Sequence, residues 1–334
     1  MSESNNLHMK VGILVYTQCT SSMVTGVADV LAFANLQQAN SKSTSRKKID
    51  SLFEVAIISE NGDPVKSFNG LPVIATNSIR SKTVYDLIYI PGFVGDVNDI
   101  LQREKKPIHW LINQYKKGAI ITAACNGNFL LAESGLLAKK RATTHWSLIN
   151  EFRDRYVNII LEPEKILIDE GNTISAAGVT AYLNLSVYLV YRFASPELAS
   201  ACAKVFLVDS GRKIQTPYET YLPRKHGDKN ILEIQEWLEK NSKQPVSLDA
   251  IVQKSNLGKR TLLRKFKSAT GDTPMVYLQR IRIENAKRLL EATDSTFSEI
   301  TWKVGYEDIS SFQKLFKSVT GLSPKEYRMK FALI

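Results

Sequence analysis

The 334-residue chain carries 44 Lys and Arg against 33 Asp and Glu, for a net charge of +11 and a pI near 9.4. Its three cysteines, Cys19, Cys125 and Cys202, are far apart and odd in number, which excludes a disulfide framework and a cysteine-built zinc site. No apolar run has the length of a membrane span, and Met1 to His8 is polar rather than signal-like, so the expected home is a reducing cytoplasm.

In chain order, Lys10 to Tyr16 reads as a buried strand and Met23 to Gln38 as a helix. The polar, basic stretch 37–50 reads as a solvated loop. Phe53 to Ser59 and Leu87 to Gly92 read as further strands, Asp99 to Lys116 as one helix, and Ala119 to Ala124 as a fourth strand. Strands alternating with helices predict a doubly wound, flavodoxin-like parallel α/β sheet covered on both faces. Val179 to Phe193 is apolar nearly all round and is expected to be buried against the sheet or a partner subunit, with Pro196 to Val208 a further helix.

The turn from Ala123 to Phe129 carries candidate chemistry. A strand ends, Cys125 sits at the bend, and Gly127 relieves crowding where a helix from Phe129 to Ser134 begins. Such an elbow exposes a thiol beside helix N–H groups, which favour a thiolate. The segment Gln18 to Met23, however, contains no acid, and Asn126 follows the cysteine. The catalytic set is incomplete: no residue is assigned a catalytic role, no cofactor or metal is expected, and Cys125 reads as a pocket residue whose thiol alkylates at an ordinary rate. The alternative is a cysteine-dependent hydrolase or amidase using Cys125. Beyond the carboxyl ends of the strands, where open α/β sheets bind ligands, the expected pocket residues are Gly92, Phe93, Gly95, Cys125, Asn126 and His145. Gly92 and Gly95 either admit a ligand to backbone N–H groups or merely turn the chain, and His145 can equally be structural.

Residues 211–229 lack periodicity, contain Pro217 and Pro223, and read as a linker between domains at 9–210 and 230–334. The last part of the chain repeats itself. Phe266, Lys267, Ser268, Thr270 and Gly271 recur as Phe316, Lys317, Ser318, Thr320 and Gly321, an offset of 50, and Pro274 and Tyr277 recur as Pro324 and Tyr327. From Lys254 onward, 16 basic residues face 8 acidic ones.

Each copy reads as helix, tight turn, helix. Leu248, Ile251 and Val252 precede a break at Asn256-Leu257-Gly258 and a second stripe of Leu262, Leu263 and Phe266. Phe297, Ile300 and Val304 precede Gly305 and the stripe Phe312, Leu315 and Phe316. Gly271 and Gly321 suit helix stops. Between the copies, Pro274 to Ala292 predicts a rod of roughly 28 Å at ~1.5 Å per residue. Successive major grooves on one DNA face lie about 34 Å apart, so such a rod can hold two reading heads one turn apart.

These residues resemble the AraC-type DNA-binding domain from about Ser247 to Phe331, on Gly305-Tyr306, Phe312, Phe316, Gly321, Pro324 and Tyr327-Arg328. The resemblance implies base-reading faces at Arg260, Thr261, Leu263 and Arg264 in the first head and Ser310, Ser311, Gln313 and Lys314 in the second. Lys265, Lys267 and Lys317 read as phosphate contacts or solvated charge. Residues from about Met9 to Val208, including Lys10 to Tyr16, Ile88 to Gly92, the elbow and Arg141 to Trp146, are similar to the PfpI-like, class I glutamine amidotransferase-like superfamily. The two together resemble GlxA-type regulators. That resemblance implies double-stranded DNA and a small-molecule effector as partners, a homodimer through the first domain, RNA polymerase as a further contact, and no membrane.

Overall fold

The computed structural model describes residues 8–41, 51–221, 223 and 226–332. From residue 42 the expected solvated loop lies outside them, as do linker positions 222, 224 and 225. The chain divides between Gln215 and Thr216 into two compact units.

The first unit is built on a seven-stranded sheet among the described residues. Its strands are β1 (Met9–Leu14), β2 (Phe53–Ser59), β3 (Asn77–Ser78), β4 (Leu87–Ile90), β5 (Ile120–Ala124), β6 (Leu167–Asp169) and β7 (Thr173–Ala176), in the spatial order β6-β7-β5-β4-β1-β2-β3. Every neighbouring pair is parallel except β6 with β7. The four residues of β4 and of β7 are all buried, as expected of strands covered on both faces.

The helices of this unit are α1 (Ser21–Ser41), α2 (Val97–Arg103), α3 (Lys105–Lys116), α4 (Asn128–Glu133), α5 (Ile149–Arg155), α6 (Ala181–Phe193) and α7 (Pro196–Val205). Of the two fates expected for the apolar α6, the structure shows the sheet: it packs on β5, β6 and β7, flanked by α1 and α7. The helix expected from Asp99 to Lys116 is instead two helices. Glu104 leaves helical geometry at φ −92°, ψ 23° and sits between them.

Among the described residues the second unit is built of helices: α8 (Lys229–Lys240), α9 (Leu248–Ser255), α10 (Lys259–Thr270), α11 (Pro274–Ala292), α12 (Phe297–Lys303), α13 (Ile309–Thr320) and α14 (Pro324–Phe331). The repeat is a repeat of cores. In the first head Leu262, Phe266 and Tyr277 are buried with Ile231, Ile234 and Leu238 of α8. In the second, Phe312, Phe316 and Tyr327 are buried with Ile283, Ala286 and Leu290 of α11. The second half of α11 is therefore to one head what α8 is to the other, while its first half, through Tyr277 and Leu278, closes the first head.

Even the polar details recur. Tyr277 donates to Glu239 at 2.9 Å, and Tyr327 donates to Glu291 at 2.7 Å. Burial and the facing carboxylate hold both phenols above their ordinary range. Gly271 and Gly321 end α10 and α13 in the left-handed region, at φ 86° and 76°, where glycine carries no Cβ penalty.

Candidate functional site

Two pairs of helices carry the candidate nucleic-acid interface. On α10, Leu262, Phe266 and Thr270 are buried, which turns Arg260 and Arg264 outward. Thr261 and Leu263 are only half-buried and stand beside them. On α13 the buried stripe is Phe312, Phe316 and Thr320, and Ser310, Ser311, Gln313 and Lys314 are all exposed. Each helix thus anchors through its buried stripe and presents the opposite face.

The two faces differ electrostatically. Helix α10 starts at Gly258 without a side-chain cap, and Lys259 and Arg260 follow at once. Helix α13 starts at Asp308, whose carboxylate accepts from Ser311 N at 2.9 Å; those hydrogen bonds hold its carboxyl below its ordinary range. A fixed negative charge stands at the start of α13, while the start of α10 is cationic.

Contacts outside the repeat hold the heads together. Arg282, 8 % exposed on α11, donates to the carbonyls of Ser242 and Gln244, both at 2.8 Å, and its guanidinium lies 5.1 Å from the centre of the Tyr306 ring. Gly305, at φ +88°, presses on the same loop: a Cβ there would stand 2.8 Å from the Ser242 carbonyl oxygen. The turn of the second head is thereby seated on the loop after α8 of the first.

The stretch read from sequence as a linker contributes as well. Tyr218 meets the Phe331 ring edge-on at 5.2 Å, and Lys287 donates to the Glu219 carbonyl at 2.5 Å. Tyr221 donates to Asp272 at 2.9 Å and packs edge-on against Tyr277 at 5.7 Å. Residues 216–221 thus run as a strap from one head to the other. Sequence reasoning missed it, although two tyrosines in an otherwise polar stretch were a signal.

In the first unit the structure brings Gly92, Phe93, Cys125 and Asn126 together. Asn126 accepts from Phe93 N and donates to Phe93 O, both at 2.8 Å. A Cβ on Gly92 would meet Asn126 Oδ1 at 2.8 Å and Cys125 Cβ at 3.1 Å. Gly95 stands apart against Gln18, and His145 turns its Nδ1 to Ser147 Oγ at 2.8 Å.

Cys125 adopts the strained elbow conformation, φ 58°. The expectation of an exposed thiol favouring thiolate is nonetheless overturned. Cys125 is 8 % exposed, and burial pushes its thiol up to about 12, against the weaker opposing effect of the Asn126 N–H. No ordinary alkylation rate follows from that environment. Gln18 occupies the turn after β1 and accepts from Arg103 at 2.9 Å. The acid of this region was missed in sequence: buried Glu104, pushed up to about 7 by burial, with its charge acting on Tyr16 and Cys19.

Comparison with known proteins matches residues 10–191 to the DJ-1/PfpI family and residues 251–330 to a helix-turn-helix domain. Among curated proteins, the chain is 25 % identical to the HTH-type transcriptional regulator CdhR of Pseudomonas aeruginosa, over 83 % of this chain and 82 % of that one. It is 24 % identical to the regulator GbdR of the same species, over 83 % and 75 %. Among solved structures, an AraC family transcriptional regulator from Pseudomonas putida superposes with a TM-score of 0.50 at 22 % identity, covering 59 % of this chain and 99 % of that one.

Proposed function

Because the chain belongs to the DJ-1/PfpI family and ends in a helix-turn-helix domain of the AraC type, we propose that it is a transcriptional regulator that binds DNA sequence-specifically through two heads and answers to a small molecule through its first unit. The observation that carries this reading is the duplicated core, which leaves one outward polar face on α10 and one on α13. Arg260 and Arg264 are assigned to guanine edges or phosphates, Gln313 to adenine, Lys314 to guanine or phosphate, and Thr261, Ser310 and Ser311 to either strand edge. Leu263 is assigned an apolar contact with a thymine methyl.

The protein is a regulator rather than an enzyme. A buried thiol pushed up to about 12 does not equip Cys125 as a nucleophile, and a glutamine rather than an acid stands in the turn after β1. The rest of the proposal is a homodimer formed through the first unit, working in the cytoplasm and contacting RNA polymerase; among the described residues no helix is long and apolar enough to cross a membrane.

Fluorescence anisotropy with fragments from the gene's own neighbourhood tests the reading. Sequence-specific binding with a steep salt dependence is expected, weakened in Arg264→Ala. Arg260→Ala should relax sequence preference by about 1–3 kcal/mol where it reads a base. Equal affinity for unrelated DNA in wild type and both variants would overturn the assignment.

A further inference from the structure

An apolar cavity of the first unit lies away from the elbow. A groove of 1140 Å³ lies between α6, α7 and the edge strand β6. Ile166, Leu167, Val187, Ala199, Ala203 and Val208 line its floor, and the rings of Tyr188 and Tyr191 its side. Tyr191 is 56 % exposed and Leu207, at the mouth, 91 % exposed. Apolar surface of that kind, gathered into a concavity, is the usual form of a small-molecule site. The charged residues around it are Lys165, Lys204, Arg212 and Lys213, with Asp209 the one acid among the lining residues. An apolar body with one anionic head complements such a lining.

One wall of the groove is the last stretch of the unit, residues 208–213. It is tied down strand-like: Ile166 N donates to Lys213 O at 3.0 Å, Ile214 bridges to Lys165, and Gln215 N donates to Glu164 O at 2.8 Å. The buried Gln215 side chain then donates to the carbonyls of Thr144 and Pro163, and Thr144 Oγ1 donates to the Cys125 carbonyl at 3.2 Å. The chain passes from Gln215 directly into the strap of the second unit. A ligand touching Lys213 therefore touches the segment through which the two units are joined.

We propose that this groove is the effector site, that it takes an amphipathic carboxylate with an aliphatic or aromatic body, and that the ligand acts through its contact with residues 208–213, which lead into the second unit. The proposal rests on the sensor reading above and gives it a place and a ligand class.

Titration calorimetry on the full chain with octanoate and 4-phenylbutyrate, and with octanol as the neutral comparison, tests it. One carboxylate per chain is expected, with octanol weaker by about tenfold or more. Ser200→Trp, an exposed α7 position in the lining, should abolish binding without lowering the melting temperature, and Lys213→Glu should weaken it by about tenfold. Unchanged binding in both variants, octanol binding as well as octanoate, or no carboxylate binding at all would overturn the proposal. A change of oligomeric state in Ser200→Trp would overturn it too, by showing that a second copy covers the groove. DNA affinity, measured separately by anisotropy, keeps its value in any of these cases if only the groove assignment has failed.

Discussion

Arg282, midway along the helix that the two reading heads share, donates to the carbonyl of Ser242 in the first head at 2.8 Å. A second bond to Gln244 O and the Tyr306 ring make that guanidinium a clasp across the duplicated unit. Replacing it with methionine keeps much of the stem's volume and leaves two carbonyls without their charged donor. Arg282→Met should cost about 1–3 kcal/mol in urea unfolding of the second unit. It should also weaken binding to a two-groove site more than to either half-site. Equal loss on all three DNA fragments would show that the clasp serves stability alone.

The two aromatic stripes make a paired prediction. Phe266 and Phe316 are both fully buried, at 0 % exposure, in equivalent places. Truncation to alanine should cost on the order of 3–5 kcal/mol each. Thermal melts close to wild type in either variant would contradict the repeat of cores.

The HTH repeat was legible because its determinants are local. Phe and Gly at a fixed offset state the stripe and the stop, which the structure places as read, and the recurring Tyr277 and Tyr327 prove to be the rings that close each core. The alternation of strands in the first unit was legible for the same reason. What sequence could not show depended on distant neighbours. The strap is held by Asp272, Tyr277, Lys287 and Phe331, partners far off in the chain that Tyr218 and Tyr221 alone could not name. The edge strand β6, its inner neighbour β7 and the helix α5 are short and weakly periodic, and they went unread. The Cys125 elbow was located correctly as a bend, but its 8 % exposure is a property of tertiary packing, not of the motif.

Glu104 makes a prediction in pH. Burial raises its carboxyl from 4.5 to about 7 in the folded chain. The folded state therefore holds a proton that the unfolded state releases between those values, and stability falls as pH rises through the window. Melting temperature should drop from pH 5.5 to pH 8 in the wild type, and Glu104→Gln should melt higher than wild type at pH 8 with a flatter profile. Parallel profiles for the two proteins would remove Glu104 from the account.

Cys125 should be slow. With its thiol pushed up to about 12 and only 8 % exposed, iodoacetamide labelling near neutral pH should lag far behind that of the urea-unfolded chain. Rapid labelling of the folded protein, mapped to this residue, would restore the case for a reactive elbow.

The central claim is that one rigid duplicated unit grips two successive major grooves on one face of the duplex. Hydroxyl-radical footprinting of the full chain on its own upstream DNA measures this most directly. Two protected patches per unit, about 10 base pairs apart on the same face, are predicted. Protection confined to a single helical turn, or patches on opposite faces, would contradict it.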